Sequence, residues 1–355
     1  MEFDRNHIVS RGYIRNWAVG DAVACEFVPG GRRLSLAPSQ VCVRSKFYAR
    51  SPTAEGVRTA AAAERARGSV ENMALPLLGD LVGRWPLEDG RDRAWVALWV
   101  AMTLCGSPRS RREIPRNTER FFAHLDRERP IFAGVTAGHR GEFSEPDYEL
   151  DAMFAEVSTV ASVIGQMHWT LLTFGRPALV SSDHPITRIR WTRDRQRDVG
   201  APDLLLLDSS EVRLPIGPRA ALLLTWADAD DRVEVKRAAR HHIGLLNRGA
   251  WVQAERHRFW QPGTTPSGVD DRRAGKPIAR ELFRGYDPER SSLRLDVALE
   301  WCKRRRHGQL ATGPIGGDDR AVVTTWFEQG GSGGPRIVAE RHDREHAEAF
   351  ADFVL

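Results

Sequence analysis

The hydrophobic pattern changes period along the chain. Up to about residue 50, short apolar runs alternate with turn signals such as Gly30-Gly31, and Val41 to Ala49 has strand character. From Thr53 to Leu78 the chain is rich in Ala and Glu, which favours helix. Gly68-Ser69 marks a break there, with Ser69 as the N-cap of a second helix. Asp92 to Leu104 predicts a helix that is apolar on three sides and therefore buried on most of them. Ser144 to Gly165 predicts an amphipathic helix: Ser144 caps it, Pro146 sits in its first turn, and Leu150, Met153, Phe154, Val157, Val160, Ala161 and Ile164 form the stripe.

Period two follows. His168–Phe174, Ala178–Ser182, Ile186–Trp191, Leu204–Leu207, Val212–Leu214 and Ala220–Trp226 read as strands, and their short connections imply antiparallel pairing. Arg237–Asn247 and Ala250–Trp260 read as helices. Residues 262–292, rich in Pro, Gly and Arg, predict a linker or long loop. Beyond it come a helix (Leu295–Arg306), strands (Ala321–Glu328, Arg336–Glu340) around a glycine loop, and a closing helix (Asp343–Phe353). The expected fold is α+β: a helical layer packed on a largely antiparallel sheet. The domains are a main one over 1–261 and a small C-terminal α/β extension over 293–355.

Composition narrows the class without naming a function. In 355 residues, 41% apolar and 28% charged positions describe an ordinary globular chain with a sizeable core. The net charge of +5 is too mild to require a polyanionic partner. All but four of the 52 basic residues are arginine, a side chain suited to phosphate and carboxylate. Four scattered cysteines fit reduced thiols, no apolar leader opens the chain, and its longest apolar stretch is too short to span a bilayer. The expectation is a soluble cytoplasmic protein with no membrane contact.

No GxGxxG, P-loop, HExxH or GxSxG pattern is present, which argues against the commonest nucleotide, zincin and hydrolase classes. The most chemical segment is Ser181-Ser182-Asp183-His184-Pro185, at a strand end where polar groups are held rigidly near solvent. Asp183 or His184 there suits a general base or metal ligand, and Asp183 is the preferred candidate. Ordinary turn chemistry competes with this, and neighbouring side chains on extended backbone point apart. Glu64 and Glu71 would share a helix face about 10 Å apart, if no break intervenes. Arg188, Arg190, Trp191, Arg193, Arg195 and Arg197 form a basic ribbon with a stacking aromatic, or simply a charged hairpin tip. Arg109, Arg111, Arg112 and Arg116 form a second basic cluster past a helix end, where arginine also complements the helix dipole.

Taken in order, the segments resemble an uncharacterised bacterial family, domain of unknown function 4238. The resemblance rests on His7-Ile8-Val9-Ser10-Arg11-Gly12-Tyr13-Ile14-Arg15-Asn16-Trp17-Ala18, Ser182-Asp183-His184-Pro185-Ile186, Leu214-Pro215-Ile216-Gly217-Pro218-Arg219 and Asn247, over roughly residues 5–260. Ser10 stands where the family has Pro. The resemblance brings no reaction. It implies a set of polar positions, His7, Asn16, Glu71, Asp183 and Asn247, which if convergent suit a divalent metal, Mg or Mn. The leading expectation is a metal-dependent phosphodiesterase or nuclease. His7, Glu71 and Asp183 would be its catalytic and metal-ligating residues, and Asn16, Arg109, Arg190, Trp191 and Asn247 would contact a nucleic acid or other phosphate substrate. A non-catalytic nucleic-acid- or protein-binding module, and a metal-free enzyme acting on a small metabolite, remain open beside it.

Overall fold

The structure, a computed structural model, describes residues 5–45, 47–48, 54–83, 85, 87, 90–112, 115–116, 119, 150, 157–191, 196–198, 210–226, 234–270, 278–283, 307–314, 322–330 and 334–342. Helices α1 (Arg11–Arg15), α2 (Ala54–Gly79), α3 (Gly90–Cys105) and α4 (Val157–Gln166) pack on antiparallel sheets, an α+β fold. The expected break in α2 does not form. Ser69 Oγ bonds back to the carbonyl of Arg65, 3.0 Å away, so the helix keeps that hydroxyl instead of ending on it. Glu71 thus lies in one continuous helix; the side chain of Glu64 is outside the described residues.

A six-stranded sheet is built from β5 (His168–Thr173), β7 (Thr187–Trp191), β8 (Gln196–Asp198), β9 (Ser210–Gly217), β10 (Ala220–Thr225) and β11 (Glu234–Arg237), in the order β11-β5-β10-β9-β7-β8. Every pairing is antiparallel except β11 with β5. The central strands β9 and β10 are buried along their whole length; β10 reads as an apolar run, whereas β9 buries Ser210, Glu211 and Arg213 among its apolar residues. A second sheet, β3-β2-β12-β6, joins Arg33–Leu36 (β3), Val23–Phe27 (β2), His257–Trp260 (β12) and Val180–Ser182 (β6). β12 corrects the helix expected over Ala250–Trp260. A single helix α5 (Arg240–Gln253) ends first, and the period-two run His257-Arg258-Phe259-Trp260 is paired on both sides, by β2 and β6. Strand pairing overrides the local helical pattern.

Tyr13, Trp17, Trp99 and Phe259 form the aromatic centre, with Tyr13 and Trp99 ring centroids 5.4 Å apart and Trp17 and Phe259 5.8 Å apart. Short strands β1 (Arg5–His7) and β4 (Val43–Ser45) pair beside it, so His7 sits opposite Val43. Within the stretch expected as a linker, Ile278–Leu282 form a helix (α6) whose Ile278 and Ala279 are fully buried in the main core. Glu211, itself fully buried, accepts the Ala279 N–H at 3.0 Å and the Arg213 guanidinium. Among the described C-terminal residues, His307–Pro314, Val322–Gly330 and Gly334–His342 form a three-stranded antiparallel sheet. Gly330 pairs with Gly334 at one end of its second and third strands; residues 331–333 and the helices expected at 295–306 and 343–353 lie outside the described residues.

Candidate functional site

The Ser181–Pro185 segment leaves β6 and turns. Ser182 Oγ accepts the His184 N–H at 3.1 Å and donates to the His184 carbonyl at 2.9 Å, a Ser-type turn that sets the next two side chains in different directions. Asp183 points toward the chain after α5. Its two carboxylate oxygens accept the backbone N–H groups of Glu255 (2.9 Å) and Arg256 (2.8 Å), and its own N–H bonds to the His257 carbonyl. It is 1% exposed. This carboxylate is the clamp that turns α5 into β12.

His184 points elsewhere, to a cluster of charged side chains. Its Nε2 lies 3.0 Å from Glu255 Oε1, and Glu255 also takes Arg44 at 2.8 Å and Arg112 at 2.5 Å. Burial alone would raise the Glu255 pKa, but the hydrogen bonds from His184 and Arg112, the charge on His184 and the bond from Arg44 outweigh it and hold the carboxyl well below the usual range. Glu255 is therefore an anion throughout neutral pH.

Arg112 comes from the cluster past α3. Ser107 Oγ accepts the Ser110 N–H at 3.1 Å and Pro108 follows it, so Ser107-Pro108 caps and starts a helical turn over 108–112. Residues 109, 112 and 116 are spaced i, i+3, i+7. Arg109, Arg112 and Arg116 line one cavity of about 560 Å³ together with His184, Gln253, Glu255 and the exposed Val252. Arg111, off that stripe, bonds the Phe47 carbonyl and stacks over its ring. A recess of about 20 Å³ adjoins this cavity, sharing Arg109, His184 and Gln253 with it and adding Thr103, Ser107 and Arg188.

The other residues implied by the resemblance hold the scaffold. Asn247, fully buried, accepts the Val180 N–H (2.9 Å) and donates to the carbonyls of Ala178 (2.8 Å) and Ser267 (2.9 Å), tying α5 to the strand that leads to Asp183. Asn16 donates to the Ile216 carbonyl at 3.2 Å, and Tyr13 bonds Ser181 Oγ and the Pro215 carbonyl, which fastens α1 to β9. Glu71 accepts Ser10 Oγ (2.7 Å) and Arg67 (2.8 Å), and Trp99 donates to the same Ser10 hydroxyl at 3.1 Å. Ser10, the departure from the family's Pro, is thus the link between α2 and α3. His7 lies in this cluster. Burial, then the charges of Arg67 and Arg11, lower its pKa against the opposing charge of Glu71.

The structure therefore brings His7 and Glu71 together and places Asp183 in a different set, where its charge is felt by Cys25, Cys42 and His257. Both Asp183 oxygens accept backbone N–H groups, and Glu71 accepts Ser10 and Arg67 beside His7. Among the described residues no three His, Cys, Asp or Glu side chains are grouped to hold a metal ion. Arg109 is the one expected substrate contact that reaches the cavity; the side chains of Arg190 and Trp191 lie outside the described residues. Arg112, Arg116 and Glu255 join the site through the fold. The arginine spacing after Ser107-Pro108 carries a signal for the first two, but nothing local marks Glu255.

Among the described residues no helix is long and apolar enough to cross a membrane. No curated protein and no solved structure matches the chain. A family model does, over residues 5–259, which span β1 to β12 and every residue of the Asp183 clamp and the arginine cavity: the chain belongs to the family described as protein of unknown function, DUF4238.

Proposed function

We propose that this protein binds a phosphate-bearing ligand in the cleft between Arg109, Arg112, Arg116 and His184. The observation that carries the reading is the convergence of three guanidinium groups on one cavity whose described lining holds a single carboxylate, Glu255. Arginine offers a planar fork of donors that matches phosphate oxygens in pairs. A cavity of about 560 Å³ lies in the range of small-ligand sites and suits a mononucleotide or a short single strand better than a duplex. Exposed Val252 offers an apolar wall for the non-phosphate part.

Metal-dependent cleavage by His7, Glu71 and Asp183 gains no support from their placement, so the cleft and not that triad is where a phosphodiester or phosphomonoester would sit. The test is calorimetric titration with inorganic phosphate, a nucleoside monophosphate and a 5′-phosphorylated RNA tetranucleotide. At least one is expected to bind. Its affinity should fall as salt rises, and Arg112→Ala and Arg116→Ala should each weaken it about tenfold or more. Absence of binding to all three, or binding that both variants retain in full, contradicts the reading.

A further inference from the structure

His184 is placed for more than lining a pocket. Ser182 fixes its backbone, and Glu255 holds Nε2 at 3.0 Å. An ionised carboxylate can only accept, so Nε2 carries a proton, and in the neutral ring the lone pair is then on Nδ1. Nδ1 makes no hydrogen bond among the described residues, and His184 lines both cavities. This is an imidazole held by a carboxylate at the wall of a cavity, the kind of arrangement that general-base catalysis uses.

The two cavities supply the other parts. The outer one carries the arginines. The recess, about 20 Å³, has room for about one or two water molecules, and Ser107, Thr103 and the buried Arg188 give it polar walls. His184 and Arg109 stand where the two meet.

We infer that the protein is a phosphoester hydrolase in which His184 Nδ1 activates a water held in the recess against a phosphate held by the arginines. The inference rests on the phosphate reading of the cleft. The water oxygen bonds to phosphorus while its proton passes to Nδ1. The bond from phosphorus to the leaving oxygen breaks, and that oxygen is protonated by the imidazolium or by solvent. The net change is one ester and one water giving one alcohol and one phosphate acid. Arg109 and Arg112 stabilise charge on the non-bridging oxygens as it builds. Glu255 is a positioning residue: it holds the ring and its tautomer and touches no reacting atom.

The experiment assays the full chain in excess EDTA with p-nitrophenyl phosphate, bis(p-nitrophenyl) phosphate and a fluorescent single-stranded RNA, alongside phosphate binding by calorimetry. Cleavage of at least one probe is expected. His184→Gln, which retains an amide donor for Glu255, should cut kcat about 100-fold or more, a far larger loss than any it causes in phosphate affinity. His184→Ala should regain activity with added imidazole, a rescue that a merely structural role would not give. Phosphate binding with all three probes intact in EDTA overturns the hydrolytic inference and leaves the binding reading standing. Cleavage that His184→Gln retains, or that imidazole does not restore to His184→Ala, overturns the role of His184. Failure to bind phosphate at all removes both.

Discussion

Asp183 shows how far residue identity alone reaches. A short acidic side chain before His-Pro at a strand end fits both a ligand and a turn. What decides between them is the distant pair of N–H groups at Glu255 and Arg256, which no local pattern announces. The clamp predicts that Asp183→Ala loses on the order of 3 kcal/mol of stability, since two charge-assisted bonds from a buried carboxylate to backbone N–H groups are removed. Urea unfolding measures this, and an unchanged midpoint would mean that the carboxylate is not held as described. Asn247 teaches the same lesson, because three backbone partners from two other segments take up its whole amide. The adjacent pair His241-His242 straddles the helix face: His242 is buried with Nδ1 accepting the Ala239 N–H, while His241 is exposed.

At the scale of elements, apolar period and capping located α3, β5, β10 and most of the antiparallel sheet, because those elements are stabilised by the face their own sequence presents. The pattern failed where pairing came from afar. β11 and β12 take their structure from partners distant in sequence, and residues 250–260 look helical until β2 and β6 flank them. Helix α5, which sets the position of Gln253 and Glu255, lies close on β7. A Cβ at Gly249 would stand 2.5 Å from Thr187 Oγ1, too near for any side chain. Gly249→Ala is therefore expected to cost about 1–3 kcal/mol by overpacking, despite alanine's better helix propensity. A rise in thermal midpoint on this substitution would show that α5 and β7 are further apart.

For the whole molecule, buried ionisable groups make stability depend on pH. Burial, joined by Arg67 and Arg11, lowers the pKa of His7 below 6.5; burial, joined by Arg256 and Arg44, does the same at His257 against the opposing charge of Asp183. The unfolded chain then takes up protons that the folded one refuses, so stability is full above about 6.5 and declines as pH falls through it. Glu255, held below its unfolded value of 4.5, adds a contribution present above that pH and lost as pH falls further. The thermal midpoint should thus fall in two stages between pH 7 and pH 3, and replacing His7 and His257 by Gln and Leu should flatten the first; a midpoint rising toward acid would contradict this. The α+β class and the family were readable from sequence over the whole matched range, whereas the site was not, since it is assembled from the turn after α3, the end of β6 and the end of α5. The most direct test of the central claim is a crystal structure of the protein soaked in tungstate, a heavy mimic of phosphate. An anomalous peak is expected within hydrogen-bonding distance of Arg109 or Arg112 beside His184; a fully occupied peak elsewhere with that cleft empty would contradict phosphate binding there.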